Sequence, residues 1–149
     1  AVTVMERLNR TAAERMVEAG ARACTDITGF GLLGHALEMA EASRVEIAID
    51  HRRVPHFPEA LVLLEEGLAF GGLAANRTAF GDKVRFNNAV PGAWRNLLLD
   101  PQTSGGLLVA LPTADAESLV KALRAGGDTD AALVGRVEQP AAGVRIHVE

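Results

Sequence analysis

Eleven consecutive residues, 25–35, hold three glycines, two threonines, an aspartate and a histidine just before an apolar helical pattern. We call this stretch the Asp26 segment. Glycine permits a positive φ and lets other groups approach the backbone closely. A polar, glycine-spaced turn that opens a helix directs free N–H groups and the positive end of the helix dipole at its surroundings, which favours an anion. Because Asp26 would repel a bare phosphate, the segment predicts a cation between the two.

The same glycines match the G-x-G-x-x-G spacing of dinucleotide-binding domains, and Asp50 follows about twenty residues later. That fingerprint needs an apolar parallel strand before its first glycine. Residues 23–28 are instead polar at alternate positions, and a helical pattern rather than a strand begins the chain. We therefore set the dinucleotide interpretation aside.

Single residues near this segment have simpler interpretations. An aspartate beside threonine and glycine is typical of a cap or turn, and His35 in the first helical turn is typical of a packed histidine. No second histidine or cysteine lies at zinc-ligand spacing. Nothing local lowers the pKa of Cys24, which we expect to be a small buried hydrophobe rather than a nucleophile. His51 and His56 flank a loop and are expected to be solvated.

A second polar stretch, residues 100–106, again combines an aspartate, hydroxyls and a Gly-Gly pair before an apolar strand. We call it the Asp100 segment. Alone it would be a tight turn, but two such stretches in one small domain favour a shared polar surface. No Ser-His-Asp set or pair of carboxylates emerges, so hydrolase chemistry within this domain is unsupported.

Composition excludes several classes of protein. The chain has 149 residues, enough for one domain with a real core, and 48% of them are hydrophobic. Its net charge is −4 and no basic run exceeds two residues, so a nucleic-acid partner is not expected. No apolar run approaches the ~20 residues of a membrane span, and the first residues lack the basic start and apolar middle of a signal peptide, so none is expected. A single cysteine excludes an internal disulfide and fits the cytoplasm.

Periodicity and turn signals predict an α+β fold, a mixed β-sheet packed with helices. A Thr11–Glu14 capping box is expected to open the first helix, Thr113 to cap the last, and Gly20 to end the first. The strand over 44–50 should have one buried face, 107–111 should be fully buried, and the last two strands should form a hairpin. Residues 70–88 are predicted to be largely irregular. The expected helices span 9–19, 32–42, 58–66 and 113–125, and the expected strands 44–50, 84–86, 107–111, 131–137 and 144–148.

Two long motifs carry a resemblance to a known enzyme family. The first reads T-D-I-T-G-F-G-L-L-G-H over 25–35, with E-M-A at 38–40, and the second reads D-P-Q-T-S-G-G-L-L over 100–108. Further matches are L-N-R at 8–10, G-G at 71–72 and N-R at 76–77. Over nearly its whole length the chain resembles the C-terminal domain of selenophosphate synthetase (selenide, water dikinase), whose fold is shared with aminoimidazole-ribonucleotide synthetase.

The resemblance implies an ATP-dependent transferase that makes selenophosphate from selenide and water, releases AMP and phosphate, and requires Mg²⁺. It also implies that residues 1–149 are a single C-terminal domain of a larger two-domain, homodimeric enzyme. The N-terminal ATP-binding domain, absent from this sequence, would carry the nucleophilic cysteine or selenocysteine, and Cys24 is not its equivalent. The start at Ala1 is compatible with an excised domain.

The resemblance assigns site residues by position. Asp26 matches the aspartate of the family's T-D-x-T-G-F-G motif and would help to hold Mg²⁺, while no catalytic residue is expected in this domain. Leu73 stands where the family is expected to have threonine, which puts a polar role of that stretch in doubt. Two alternatives remain open: a same-fold domain of another ATP-dependent synthetase, from purine biosynthesis or hydrogenase maturation, and a non-catalytic dimerisation or selenium-delivery module. The residues expected to shape the nucleotide site are Thr25, Thr28, Gly29 and Gly31.

Overall fold

Two separate sheets and a central helix organise the computed structural model, which describes residues 2–69, 71–140 and 145–149. The described helices are α1 Val2–Met5, α2 Arg10–Glu18, α3 Gly31–Ser43, α4 Pro58–Glu65, α5 Gly71–Phe80, α6 Gly92–Leu99 and α7 Thr113–Ala125. The described strands are β1 Ala23–Asp26, β2 Glu46–Ile49, β3 Val84–Phe86, β4 Leu107–Ala110, β5 Gly135–Glu138 and β6 Ile146–Val148. Short 3₁₀ helices span His51–Arg53 and Gly81–Lys83. The predicted α+β class is confirmed, and no described helix has the length and apolarity to cross a bilayer.

The sheets differ in size and strand direction. Strand β1 pairs antiparallel with β4, so that Asp26 lies opposite Leu107. The larger sheet has the order β3-β6-β2-β5, in which β6 is parallel to both neighbours and β5 is antiparallel to β2. The predicted hairpin of the last two strands is wrong, because β5 and β6 lie on opposite sides of β2. Residues 131–134 are not strand, and Val144 lies outside the described residues.

Helix α3 lies at the centre and joins the sheets. It contacts β1 of the small sheet, β2 and β6 of the large one, and helices α5 and α6. Its apolar residues recur at helical spacing, and Leu33, Ala36 and Ala40 have no exposed surface. They pack into one cluster with β-sheet residues such as Ile49 and Ile146. The helix predicted over 32–42 is therefore confirmed, and it anchors the end of the Asp26 segment to the core.

Two strands have burial that differs from expectation. All four residues of β2 are buried, rather than one face, since β2 is an inner strand with neighbours on both sides. Ala48 lies opposite Arg136 of β5 and His147 of β6 in the strand register, and it has no exposed surface. Strand β4 is only half-buried along its length, because it belongs to a two-stranded sheet.

The stretch predicted to be irregular contains helix α5. Its Gly-Gly and Asn-Arg pairs favour turns in sequence, but tertiary contacts hold them in the helix. A Cβ at Gly72 would lie 2.6 Å from Pro101 Cγ, so glycine there permits close packing. Leu73 is buried, which explains an apolar residue at that position. Strand β3 confirms the strand predicted over 84–86, and Phe70 lies outside the described residues.

The helix starts are not the predicted ones. Helix α2 begins at Arg10 after Asn9, and the structure gives Asn9 no side-chain capping bond. The Thr11–Glu14 capping box is therefore wrong, and Glu14 instead pairs with Arg10 at 3.4 Å. Thr113 is the first residue of α7 rather than its cap, since Pro112 precedes it at the cap position. Gly20 follows α2 with a φ of 74°, as predicted for its C-terminus.

Candidate functional site

The Asp26 and Asp100 segments are hydrogen-bonded to each other. The amide of Ile27 donates to Gly106 O at 2.9 Å, and the amide of Gly105 donates to Ile27 O at 2.9 Å. The amide of Gln102 then donates to Thr28 O at 3.0 Å. These bonds continue the β1–β4 pairing beyond the strands, so the two polar stretches form one surface, as their repetition in the sequence predicts.

Gly31 holds the Asp26 segment against the end of α6. Its φ is 67°, in the left-handed region, and a Cβ would lie 2.8 Å from both Leu99 C and Asp100 O. Both the backbone angle and the contact with backbone atoms require glycine at this position. Gly29 is different, because a Cβ there would meet nothing within 4 Å and its φ is not positive. Gly29 is exposed, and nothing in the described structure explains why it must lack a side chain.

A buried amide fastens the same turn from the other side. Asn76 on α5 is 6% exposed, and its Nδ2 donates to Gly29 O at 3.0 Å and to Leu99 O at 2.9 Å. One side chain therefore satisfies two carbonyls from two different elements. Asn76 therefore has a structural role that the prediction of an irregular stretch over 70–88 did not anticipate.

We expect Asn76→Ala to lower the free energy of unfolding by about 2–3 kcal/mol, because the buried Leu99 carbonyl and the partly buried Gly29 carbonyl would both lose their donor. Chemical denaturation followed by circular dichroism measures this change. The matched control is Thr78→Ala on the same helix, since Thr78 is exposed and its hydroxyl donates only to Ala74 O of its own helix. Equal stability of the Asn76 and Thr78 variants would contradict the bridging role.

The Asp26 carboxylate is exposed at the end of β1 and has no hydrogen bond or ion pair in the described part of the chain. Thr25 Oγ1 donates to Asp26 O at 3.2 Å, so the proton of the Thr25 hydroxyl is used in a hydrogen bond to the backbone. Mg²⁺ in proteins is commonly held by one or two carboxylates together with water and substrate phosphates. The described residues hold no group of three or more His, Cys, Asp or Glu side chains suited to a metal. The donor set therefore fits one ligand of a shared Mg²⁺ site, and not a complete site.

His35 is packed, as predicted, and it contacts the Thr28 side chain. It is 8% exposed; His35 Nε2 lies 3.1 Å from Thr28 Oγ1, and His35 Nδ1 lies 3.2 Å from Glu38 Oε2. The ring centroid of Phe30 lies 5.2 Å from that of His35. Thr28 is therefore held from the helix side by its hydroxyl and from the Asp100 segment by its carbonyl.

Asp100 is the half-buried carboxylate of the second segment. Gln102 Nε2 donates to Asp100 Oδ2 at 2.9 Å, whereas Asp100 Oδ1 is buried without a partner in the described structure. Burial raises the pKa of Asp100, and the Gln102 bond opposes this rise only in part. Burial of the Asp100 carboxyl therefore disfavours its charged form.

Two expectations about single residues are wrong. Cys24 is exposed, because alternate residues of β1 point outward, and Cys24 lies on that outer row with Asp26. Partial burial and the Asp26 charge raise the pKa of the Cys24 thiol, so it remains a poor nucleophile, as expected. His51 is buried rather than solvated, because it packs on Trp94 and His51 Nδ1 bonds to Glu149 O at 2.6 Å. His56 is exposed, as predicted.

The dinucleotide interpretation fails on topology. The strand before the first glycine is antiparallel to its only neighbour, β4, within the described sheets, whereas the fingerprint requires a parallel strand. The Asp50 carboxylate, which would have to bind the ribose, is already hydrogen-bonded, because it accepts from the Arg52 amide and from Arg52 Nε. These Arg52 contacts lower the pKa of Asp50.

Two residues of this surface were not among the sequence candidates. Glu38 lies three residues after His35 on a predicted helix, a spacing that places both side chains on one face. That signal was available in the sequence. Asn76 belongs to a matching N-R pair, but nothing in the sequence indicated its bridging role, since its partners come from segments that lie 47 and 23 residues away.

Comparison with known proteins covers both segments. The family model described as "AIR synthase related protein, C-terminal domain" matches residues 3–147. The chain is 50% identical over 137 residues to a Pelobacter propionicus protein named selenide, water dikinase. This match covers 91% of the chain and 39% of that protein. Proteins of the same name from Porphyromonas gingivalis and Myxococcus xanthus are 48% identical over 136 residues and 40% over 148 residues; these matches cover 91% and 98% of this chain. The chain spans only 38% and 42% of those two relatives.

Proposed function

Because the chain belongs to the AIR synthase related protein C-terminal domain family, we propose that it is the C-terminal part of a selenide, water dikinase. The whole enzyme would form selenophosphate from selenide, ATP and water and release AMP and phosphate. The observation that supports this most is the 50% identity over 137 residues to a relative of that name. The described geometry is compatible, because the two polar segments form one exposed surface around a free carboxylate.

The proposed role of this domain is to supply one Mg²⁺ ligand, Asp26, to a site completed elsewhere. When bound, Mg²⁺ neutralises charge on the transferring phosphates. Asp26 supports this role because it is exposed and unpaired among the described residues. Gly29 would let a phosphate or another chain approach the backbone. We assign Thr25 and Gly31 to holding the segment in shape, and Thr28 to the site itself.

The remaining partners follow from the proposed enzyme. The chain would work with its own N-terminal ATP-binding domain, in a homodimer formed mainly through that domain. A lone cysteine without a disulfide supports a cytoplasmic location. The proposal is tested by asking whether selenide drives ATP hydrolysis by the full-length protein. Hydrolysis driven instead by a purine precursor, or no hydrolysis at all, would favour a same-fold synthetase or a non-catalytic module.

We expect residues 1–149 alone neither to hydrolyse ATP nor to bind Mg-ATP tightly. The reason is that one exposed carboxylate holds Mg²⁺ weakly without phosphates and partner ligands. Isothermal titration calorimetry with Mg-ATP measures this directly. Strong binding that disappears in Asp26→Asn would show that this chain forms a complete site, and would contradict the proposed division between domains.

A further inference from the structure

Two hydrogen bonds link Glu38 through the His35 ring to the hydroxyl of Thr28. His35 Nδ1 lies 3.2 Å from Glu38 Oε2, and His35 Nε2 lies 3.1 Å from Thr28 Oγ1. The ring is buried and Phe30 packs on it, while Glu38 is exposed. The link therefore runs from a solvated carboxylate through a shielded imidazole to the Asp26 segment.

The carboxylate determines which ring nitrogen carries hydrogen. An ionised carboxylate only accepts hydrogen bonds, so Glu38 requires the hydrogen on Nδ1. In a singly protonated ring, Nε2 is then an acceptor, and the proton of the Thr28 hydroxyl is directed to it. The proton of Thr28 Oγ1 is used in this bond. Towards any other group, the hydroxyl oxygen can therefore act only as a hydrogen-bond acceptor or a metal ligand. Thr28 O is also engaged, since it accepts from the amides of Gly31 and Gln102.

We propose that the Thr28 hydroxyl accepts from, or coordinates, the divalent cation side of the site, an inference that rests on the proposed function. Glu38 and His35 are then positioning residues, because they direct the Thr28 proton to His35 Nε2. A phosphate oxygen accepts hydrogen bonds and would need Thr28 as a donor. A divalent cation, or water bound to it, needs the lone pairs that the hydroxyl keeps. The ligand class for Thr28 is therefore a hydrated divalent cation, on the same segment as Asp26.

The first test is the tautomer of His35 in the 149-residue chain, read by long-range ¹H–¹⁵N NMR at pH 7.5. We expect a protonated Nδ1 and an unprotonated Nε2. Glu38→Ala should shift the ring toward the Nε2-protonated tautomer, and Glu38→Gln should restore the original one because its amide oxygen still accepts. The control is Glu41→Ala on the same helix, since Glu41 pairs with Lys83 at 2.7 Å. A protonated Nε2 in the unaltered protein would overturn the inference.

The second test is the Mg²⁺ requirement of the full-length enzyme. Thr28→Val should raise the Mg²⁺ concentration for half-maximal rate about tenfold, the loss of one charge-assisted contact, with the KM for ATP unchanged. Thr28→Ser keeps the hydroxyl and should stay within about twofold of the unaltered enzyme. A raised KM for ATP with an unchanged Mg²⁺ requirement would assign Thr28 to phosphate and overturn the proposal. If the unaltered enzyme lacks selenide-dependent activity, the proposed function fails, while the NMR result still decides the polarity of Thr28.

Discussion

Asp26→Asn in the full-length protein is expected to lower the rate of selenide-dependent ATP hydrolysis by at least about a hundredfold, because a metal ligand supports several kcal/mol of transition-state charge stabilisation. The amide has the shape of the carboxylate but lacks its charge, so the loss reports the metal contact rather than a change of packing. Steady-state rates at saturating ATP and selenide measure it. Excess Mg²⁺ should recover part of the rate, since the remaining ligands still bind the ion weakly.

The same substitution should leave the fold intact. Asp26 is exposed and its carboxylate has no bond in the described structure, so the unfolding free energy should change by less than about 0.5 kcal/mol. The exposed Asp130, after α7, offers a matched control. Asp130→Asn removes the same charge and should retain the full rate. Unchanged activity in the Asp26 variant would exclude its metal role.

Gly31→Ala is expected to destabilise the domain by about 3 kcal/mol or more, since a left-handed backbone angle and a collision with backbone atoms act together. The added Cβ would lie 2.8 Å from Leu99 C and Asp100 O, neither of which is the end of a flexible side chain. The turn and the end of α6 would have to separate. Thermal or urea unfolding of residues 1–149 measures the loss.

Gly29→Ala tests whether Gly29 and Gly31 have different roles, one in function and the other in stability. Its Cβ would enter open space, so stability should stay within about 0.5 kcal/mol of the unaltered protein. Activity of the full-length enzyme should nevertheless fall, because the methyl group would occupy the space through which a ligand reaches the backbone. A Gly29 variant as unstable as the Gly31 variant would contradict this division, and a fully active one would contradict the functional role of Gly29.

Local sequence signals predicted four of the seven described helices, α2, α3, α4 and α7, and missed α1, α5 and α6. Apolar spacing located α3 and α7 to within a residue, and Pro58 with Gly67 bracketed α4. These signals involve residues that are close together in the sequence, so a helix can be predicted from the sequence alone. Strand pairing is different, because the spacing of apolar residues in β5 and β6 is the same whether they pair with each other or with β2. The hairpin prediction failed for that reason.

Helix α5 and the site itself show the same limit. Glycine and asparagine have low intrinsic helix propensity, and only the contact of Gly72 with Pro101 and the buried bonds of Asn76 explain their presence there. The two polar segments could be recognised from composition, but their mutual hydrogen bonds depend on the β1–β4 register. Cys24 was expected to be buried because no neighbour in the sequence activates it, and no strand was predicted over 23–26 that would have placed it on an outward row.

Strand β6 affects how the domain can be synthesised. It follows every other described strand in the chain, yet it lies between β2 and β3, and Ile146 and Val148 have no exposed surface. Until β6 leaves the ribosome, β2 and β3 have no strand to join them, and the strand edges that β6 pairs with stay open. Sheet closure must therefore be a late, long-range step, which is slow and exposes strand edges to aggregation. We expect the nascent chain to need protection by chaperones until β6 has been synthesised.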